Sequence, residues 1–221
     1  MSSAGSEWRL LESMLWTPED GFYLFERHMR RLVHSGASFG WTVDIEGLES
    51  ALRQRCLGLR APMKIRLLVS ACGEYEIDLR PMSDVTLLNA AIAKGPVNEN
   101  DEFLRHKTTR RDVYESRLRE VPGVDDVVLW NRRGELTETC FGNLVFRFGT
   151  EWVTPPLRCG LLPGTMREQL LDDGVLREGV VQLSDIDQSE GVYRINSVRK
   201  WNRLRLNPVD LPARSTRGGS E

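Results

Sequence analysis

Apolar and polar positions change rhythm several times along this chain, and each rhythm predicts a kind of element. Trp8-Arg9-Leu10-Leu11-Glu12-Ser13-Met14-Leu15-Trp16 is a largely apolar run that stops at Thr17-Pro18-Glu19-Asp20-Gly21, which reads as a buried strand ending in a turn. From Leu24 the spacing lengthens to helical intervals: Leu24, Phe25, His28, Leu32, Ser35 and Phe39 form a stripe, with Arg31 beside it. A second helix starts at Asp44, whose side chain suits an N-cap, and carries Leu48, Leu52 and Cys56. Runs at 63–71, 75–80 and 85–92 then predict strands, the first two joined across Cys72-Gly73-Glu74.

Residues 94–101 have the composition of a connection and divide the chain into an N-terminal α+β lobe, 1–95, and a C-terminal lobe, 96–221. Beyond it, Arg105-His106-Lys107-Thr108-Thr109-Arg110-Arg111 leads into a helix capped by Thr108 or Thr109 and stopped by Pro122-Gly123. Strands are predicted at 126–130, in a hairpin over 145–153, at 180–183 and at 192–195. Between them, Leu162-Pro163-Gly164-Thr165-Met166-Arg167 feeds a helix ending near Gly174, and residues 208–221 read as a loose tail.

Composition narrows the function classes. The 221 residues hold 30 Lys plus Arg against 32 Asp plus Glu, a net charge of −2, with no basic tract of the kind that binds nucleic acid. No apolar run approaches the roughly 20 residues of a membrane span, and the first residues lack the order of a signal peptide, so the expectation is a cytoplasmic protein without a membrane partner. Cys56, Cys72, Cys140 and Cys159 include no Cys-x-x-Cys pair, and His28, His34 and His106 do not gather with carboxylates, which argues against a disulfide framework and against a metal site.

Three stretches carry candidate chemistry. Lys107 can hold a cofactor aldehyde as a Schiff base if its amine is deprotonated, a state favoured by desolvation and by Arg105, Arg110 and Arg111 nearby. Glu138, acidic in an apolar context, calls for a cationic partner. The turn at Gly164 puts free amides at a helix start, which makes a seat for phosphate.

His28-x-x-Arg31-Leu32-x-x-Ser35, Lys107 with its Thr-Thr-Arg continuation, Glu138 five residues before Asn143, Thr154-Pro155-Pro156 and Leu162-Pro163-Gly164 together resemble the class IV (fold type IV) pyridoxal-phosphate enzymes. The resemblance covers most of the chain. It implies an α+β, two-lobed subunit like that of D-amino-acid aminotransferase, a homodimer, the cofactor pyridoxal 5'-phosphate and a small-molecule amino substrate. By position it makes Lys107 the Schiff-base lysine, Glu138 the partner of the pyridine nitrogen and Arg31 a phosphate ligand. Gly164, Thr165 and Met166 match the phosphate-binding amides, and Asn196 and Ser197 the remaining cofactor-binding positions. Ser13 falls where a catalytic hydroxyl is found in the lyases, and Arg66 is the candidate for a substrate carboxylate.

Within the family, the surroundings of Lys107, Glu138 and Asn196 are similar to the aminodeoxychorismate lyases, which convert 4-amino-4-deoxychorismate to 4-aminobenzoate and pyruvate in folate biosynthesis. A class IV aminotransferase acting on branched-chain or D-amino acids, and a non-catalytic family member, are the alternatives. Two departures stand out: the family's N-terminal hairpin and Asp-Arg-Gly segment have no counterpart ahead of Leu11-Glu12-Ser13, and Thr165-Met166-Arg167 replaces the usual Ile-Thr-Arg.

Overall fold

In the computed structural model, which describes residues 8–83 and 85–206, the first apolar run is strand β1 (Leu10–Thr17). The chain turns at Gly21, where φ is 73°, passes through β2 (Gly21–Phe22) and enters α1 (Phe25–Ser38). Helix α2 (Ile45–Cys56) starts where expected: Asp44 Oδ1 accepts the Gly47 amide at 3.0 Å. Strands β3 (Met63–Val69) and β4 (Tyr75–Pro81) complete an antiparallel sheet in the order β2-β1-β3-β4.

The two-residue period of β1 decides what each side chain does. Leu10 and Met14 point into a core built with Ile65, Leu67, Met29, Leu32, Leu48 and Leu52, so both helices cover that face. Each such side chain contributes roughly 1.5–3 kcal/mol by leaving water. Glu12 shares that parity and is therefore buried beneath α1, while Leu11 and Ser13 take the opposite face.

The second sheet begins with β5 (Leu87–Ile92). It continues through α3 (Asp112–Glu120), β6 (Asp126–Trp130), β7 (Leu136–Thr139), β8 (Gly142–Phe148) and β9 (Glu151–Thr154). Helix α4 (Thr165–Asp172), β10 (Arg177–Glu178), β11 (Gly191–Asn196) and β12 (Lys200–Leu206) follow. The order is β10-β9-β8-β11-β12-β5-β6-β7, and a further pairing of β7 with β8 closes six of these strands into a ring. Leu88, Ile92, Val128, Leu136, Leu144, Phe146, Val192 and Leu204, drawn from all six, pack together as its core.

Several expectations are corrected. Strand β5, placed by the sequence reading in the 1–95 lobe, pairs in parallel with β6 and β12, so the change of sheet falls between Pro81 and Leu87. Neither Thr108 nor Thr109 caps α3: Arg111 stands at its N-cap, because Thr108 bridges to Leu10 and the Thr109 hydroxyl accepts the Arg9 amide at 2.9 Å. Residues 180–183 form no strand but lead into a 3-10 turn, Leu183–Gln188. The expected loose ends, 1–7 and 208–221, lie outside the described residues.

Candidate active site

A cleft of about 570 Å³ opens between the two sheets, and the β strands bring distant residues to its walls. Lys107 is delivered by backbone pairing: its carbonyl accepts the Leu11 amide at 2.9 Å, which aligns the lysine segment with the start of β1. Ser13, Arg31, Arg66, Lys107, Glu138, Gly164, Thr165, Met166, Asn196 and Ser197, the candidate site residues, all line this one cleft.

Lys107 is half-buried. Desolvation lowers its amine to a pKa of about 7, with Arg31 and then Arg111 adding to the effect and Glu12 and Glu138 opposing it. Of the three neighbours expected to act on it, Arg111 is a leading cause of the shift, while Arg110 turns to the ring of Phe103, with its guanidinium 4.3 Å from the centroid.

Glu138 is buried on β7, opposite Asn143 of β8. Burial raises its carboxyl to about 7, against hydrogen bonds donated by the Tyr114 hydroxyl (2.8 Å) and the Leu162 amide (3.2 Å) and against the charges of Lys107 and Arg111. Among the described residues both donors to this carboxyl are neutral, and no lysine or arginine forms an ion pair with it.

At the other end, α4 begins at Gly164 with no side-chain cap, leaving its first amides free of side-chain partners. A Cβ on Gly164 would stand 1.9 Å from Asn143 Oδ1, so only glycine allows this approach; Asn143 in turn donates to the Leu162 carbonyl at 2.8 Å. Arg31 reaches the same turn, giving Nη1–H to the Pro163 carbonyl at 3.0 Å. Its Nε and Nη2 grip Glu12 at 2.8 and 2.6 Å, which leaves two of its five N–H groups for an anion.

Two expected cofactor ligands are engaged elsewhere. The Asn196 amide donates to the Phe141 carbonyl, and its oxygen accepts the Val198 and Arg199 amides, so this side chain shapes a turn. Ser197 donates its hydroxyl to the Ser13 carbonyl at 3.0 Å, which joins the β11–β12 turn to β1.

The family model of Amino-transferase class IV matches residues 9–205. The chain belongs to the class IV aminotransferase family. A Schizosaccharomyces pombe relative named "Putative aminodeoxychorismate lyase" is 29% identical over 208 residues, covering 88% of this chain and 87% of its own. A Mesorhizobium loti structure described as a "Putative amino-acid aminotransferase" is 31% identical with a TM-score of 0.86, covering 91% of this chain and all of that one. The fold is also that of a Legionella pneumophila "Putative 4-amino-4-deoxychorismate lyase", at 18% identity and TM-score 0.77, covering 90% of this chain and 82% of that one.

Class IV aminotransferases are pyridoxal-phosphate enzymes, and the donor set here fits that cofactor. A lysine shifted toward its neutral form, a buried carboxyl across the cleft, and an arginine beside open helix amides suit an aldehyde, a pyridine nitrogen and a phosphate respectively. Among the described residues no group of His, Cys, Asp and Glu gathers to hold a metal, and no helix is long and apolar enough to cross a membrane.

The sequence reading missed Glu12, Tyr114 and Arg194. Glu12 Oε2 lies 2.6 Å from His28 Nδ1 as well as from Arg31, and Arg31 and then His28 outweigh desolvation to hold its carboxyl at about 2. Its signal was an acidic residue at an inward position of a strand, opposite a helix that carries His28 and Arg31 three residues apart. Arg194 pairs with buried Asp126 at 3.0 Å and with Asn202 at 2.8 Å at the cleft end of the ring, and nothing in the local sequence announces that.

Proposed function

We propose that this class IV family member is an aminodeoxychorismate lyase, converting 4-amino-4-deoxychorismate to 4-aminobenzoate and pyruvate, and that it acts as a homodimer. The observation that carries the reading is Lys107, its amine lowered to about 7, in one cleft with the Ser13 hydroxyl and the Glu138 carboxyl. The sheets of β1–β4 and β5–β12 are proposed as the cores of two lobes that meet at this cleft.

Pyridoxal phosphate, when bound, supplies an electron sink that acidifies the carbon bearing the substrate amine. Lys107 would hold its aldehyde and would serve as the base toward that carbon, a role for which a pKa near the working pH is suited. Glu138, aimed by Tyr114 and the Leu162 amide, keeps a proton at the pyridine nitrogen. Arg31 and the first amides of α4 balance the phosphate charge, and Arg31 is held in place by Glu12. As the carbon–oxygen bond of the enolpyruvyl ether breaks, its electron pair leaves with the oxygen. Lys107, now carrying the proton it took, or the Ser13 hydroxyl in the same cleft would protonate the departing enolpyruvate, which becomes pyruvate once its methylene carbon holds that proton.

The named relative at 29% identity supports the lyase, and the Mesorhizobium loti structure at 31% supports transamination as the second reading, which starts at the same lysine. The test is an assay of protein loaded with pyridoxal phosphate on aminodeoxychorismate, beside several L- and D-amino acids. Equal amounts of 4-aminobenzoate and pyruvate are expected. Oxo-acid formation without aminobenzoate selects the aminotransferase. A protein that never acquires the visible absorbance of a lysine-bound cofactor, or keeps it in Lys107→Ala, overturns both.

A further inference from the structure

Positive charge accumulates at the end of the cleft away from Lys107. Strand β1 serves as a ruler: Lys107 is level with Leu11, and Ser13 and Leu15 follow on the same face at roughly 7 and 14 Å along the strand. Their partners across β3 are Arg66 and Lys64. Arg199, in the turn between β11 and β12, lines the same cleft, and its guanidinium donates to the carbonyl and hydroxyl of Ser83, at 2.7 and 3.0 Å. Lys64, Arg66 and Arg199 all line the cleft.

Among the described residues no carboxylate pairs with any of the three. Asp78, the β4 neighbour of Arg66, is taken by Arg80 at 2.7 Å. Asp125, also in the cleft wall, accepts the Asn89 amide at 2.8 Å. Lys64 registers the crowding: desolvation depresses its amine first, then Arg80, Arg199 and Arg66, with Asp78 opposing. Like charges gathered in a cleft repel one another unless an anionic guest enters.

We propose that Lys64 and Arg199, with Arg66 one strand step nearer to Lys107, form a subsite for a carboxylate that the substrate carries far from its amine, across a ring. The subsite deepens the reading above and presupposes only that the amine is bound at Lys107. An α-amino acid places its carboxylate one carbon from the nitrogen and cannot reach Lys64 or Arg199 from there. A cyclic amino acid with the two groups on opposite sides of the ring spans much of the interval, and the long Lys and Arg side chains cover the rest. Arg199 offers the planar fork that a carboxylate accepts.

The test is calorimetric binding of 4-aminobenzoate and of its neutral amide, 4-aminobenzamide, to the full chain loaded with pyridoxal phosphate. The wild type is expected to favour the carboxylate about tenfold, a preference that shrinks as salt rises to about 0.5 M. The ratio is expected to approach one in Lys64→Gln/Arg199→Gln and to persist in Lys64→Arg/Arg199→Lys, which keeps both charges. No preference in the wild type, an unchanged ratio in the neutral double variant, or a ratio lost in the charge-keeping one overturns the subsite. A protein that keeps the preference but makes no 4-aminobenzoate from aminodeoxychorismate retains the subsite and loses the lyase reading; one that makes the product without the preference does the reverse.

Discussion

Tyr114 donates its hydroxyl to Glu138 Oε1 at 2.8 Å, tying the helix that follows Lys107 to the carboxyl facing it. Both groups are buried, and burial, then Glu138 itself, raises the phenol well above its ordinary 10, so it remains a donor at any working pH. In Tyr114→Phe the carboxyl loses a bond that favours its charged form and should titrate higher still. The expected loss is about 1–2 kcal/mol of stability, read by urea unfolding, together with reduced turnover.

Three shifted groups give the cofactor-free protein a pH profile of defined sign. Glu12, at about 2 instead of 4.5, supports the fold above 4.5, and that support is lost as pH falls toward 2. Glu138, raised from 4.5 to about 7, keeps a proton that the unfolded chain has released, so stability falls as pH rises through that window. Lys107, lowered from 10.5 to about 7, has shed a proton that the unfolded chain keeps, so stability recovers from 7 to 10.5. Thermal unfolding across pH should therefore show a dip near neutrality, on the order of 1–3 kcal/mol deep. Glu138→Gln should remove its acid flank and Lys107→Met its alkaline flank.

Glu12→Gln tests the support beneath the phosphate seat. It leaves the Arg31 guanidinium buried with a neutral partner, so unfolding should be easier by about 3 kcal/mol or more. Cofactor affinity, measured by equilibrium dialysis, should fall with it. Unchanged affinity would show that Arg31 needs no anchor.

Gly164→Ala should be worse for the cofactor than for the fold. The new methyl must displace Asn143 from the Leu162 carbonyl, and α4 then starts in a different place. An affinity loss of about tenfold or more, with unfolding changed by only about 1–3 kcal/mol, is the expected result.

Glu138→Gln should retain much of its cofactor, since the contacts at α4 are separate, yet lose most turnover. Full activity would mean that another carboxyl serves the ring.

Much of the candidate site was legible because its parts sit at local signals: a Pro-Gly turn before a helix, a lysine among cations, an acidic residue in an apolar run. Glu12 was overlooked because period-two patterning says which face a residue takes but not what lies across from it. Strand β12 escaped for a related reason. Its Lys200, Arg203 and Arg205 look solvated, although Asn202 and Leu204 are buried between β11 and β5. The alternation over Asn202-Arg203-Leu204-Arg205-Leu206 was the available signal. Fold class was easier to read than strand order, because parallel pairing of residues 87–90 with 203–206 has no local mark.

That pairing also sets a timetable for synthesis. Strand β5 leaves the ribosome long before β12, yet β12 is its neighbour on one side, so β5 and β11 each present a bare edge until β12 arrives. Lys107, Glu138 and Gly164 are all translated by then, but the wall carrying Ser197 and Arg199 is not yet fixed. The cleft is therefore among the last features to mature, and a nascent chain stalled before Lys200 would expose strand edges that invite association with other chains.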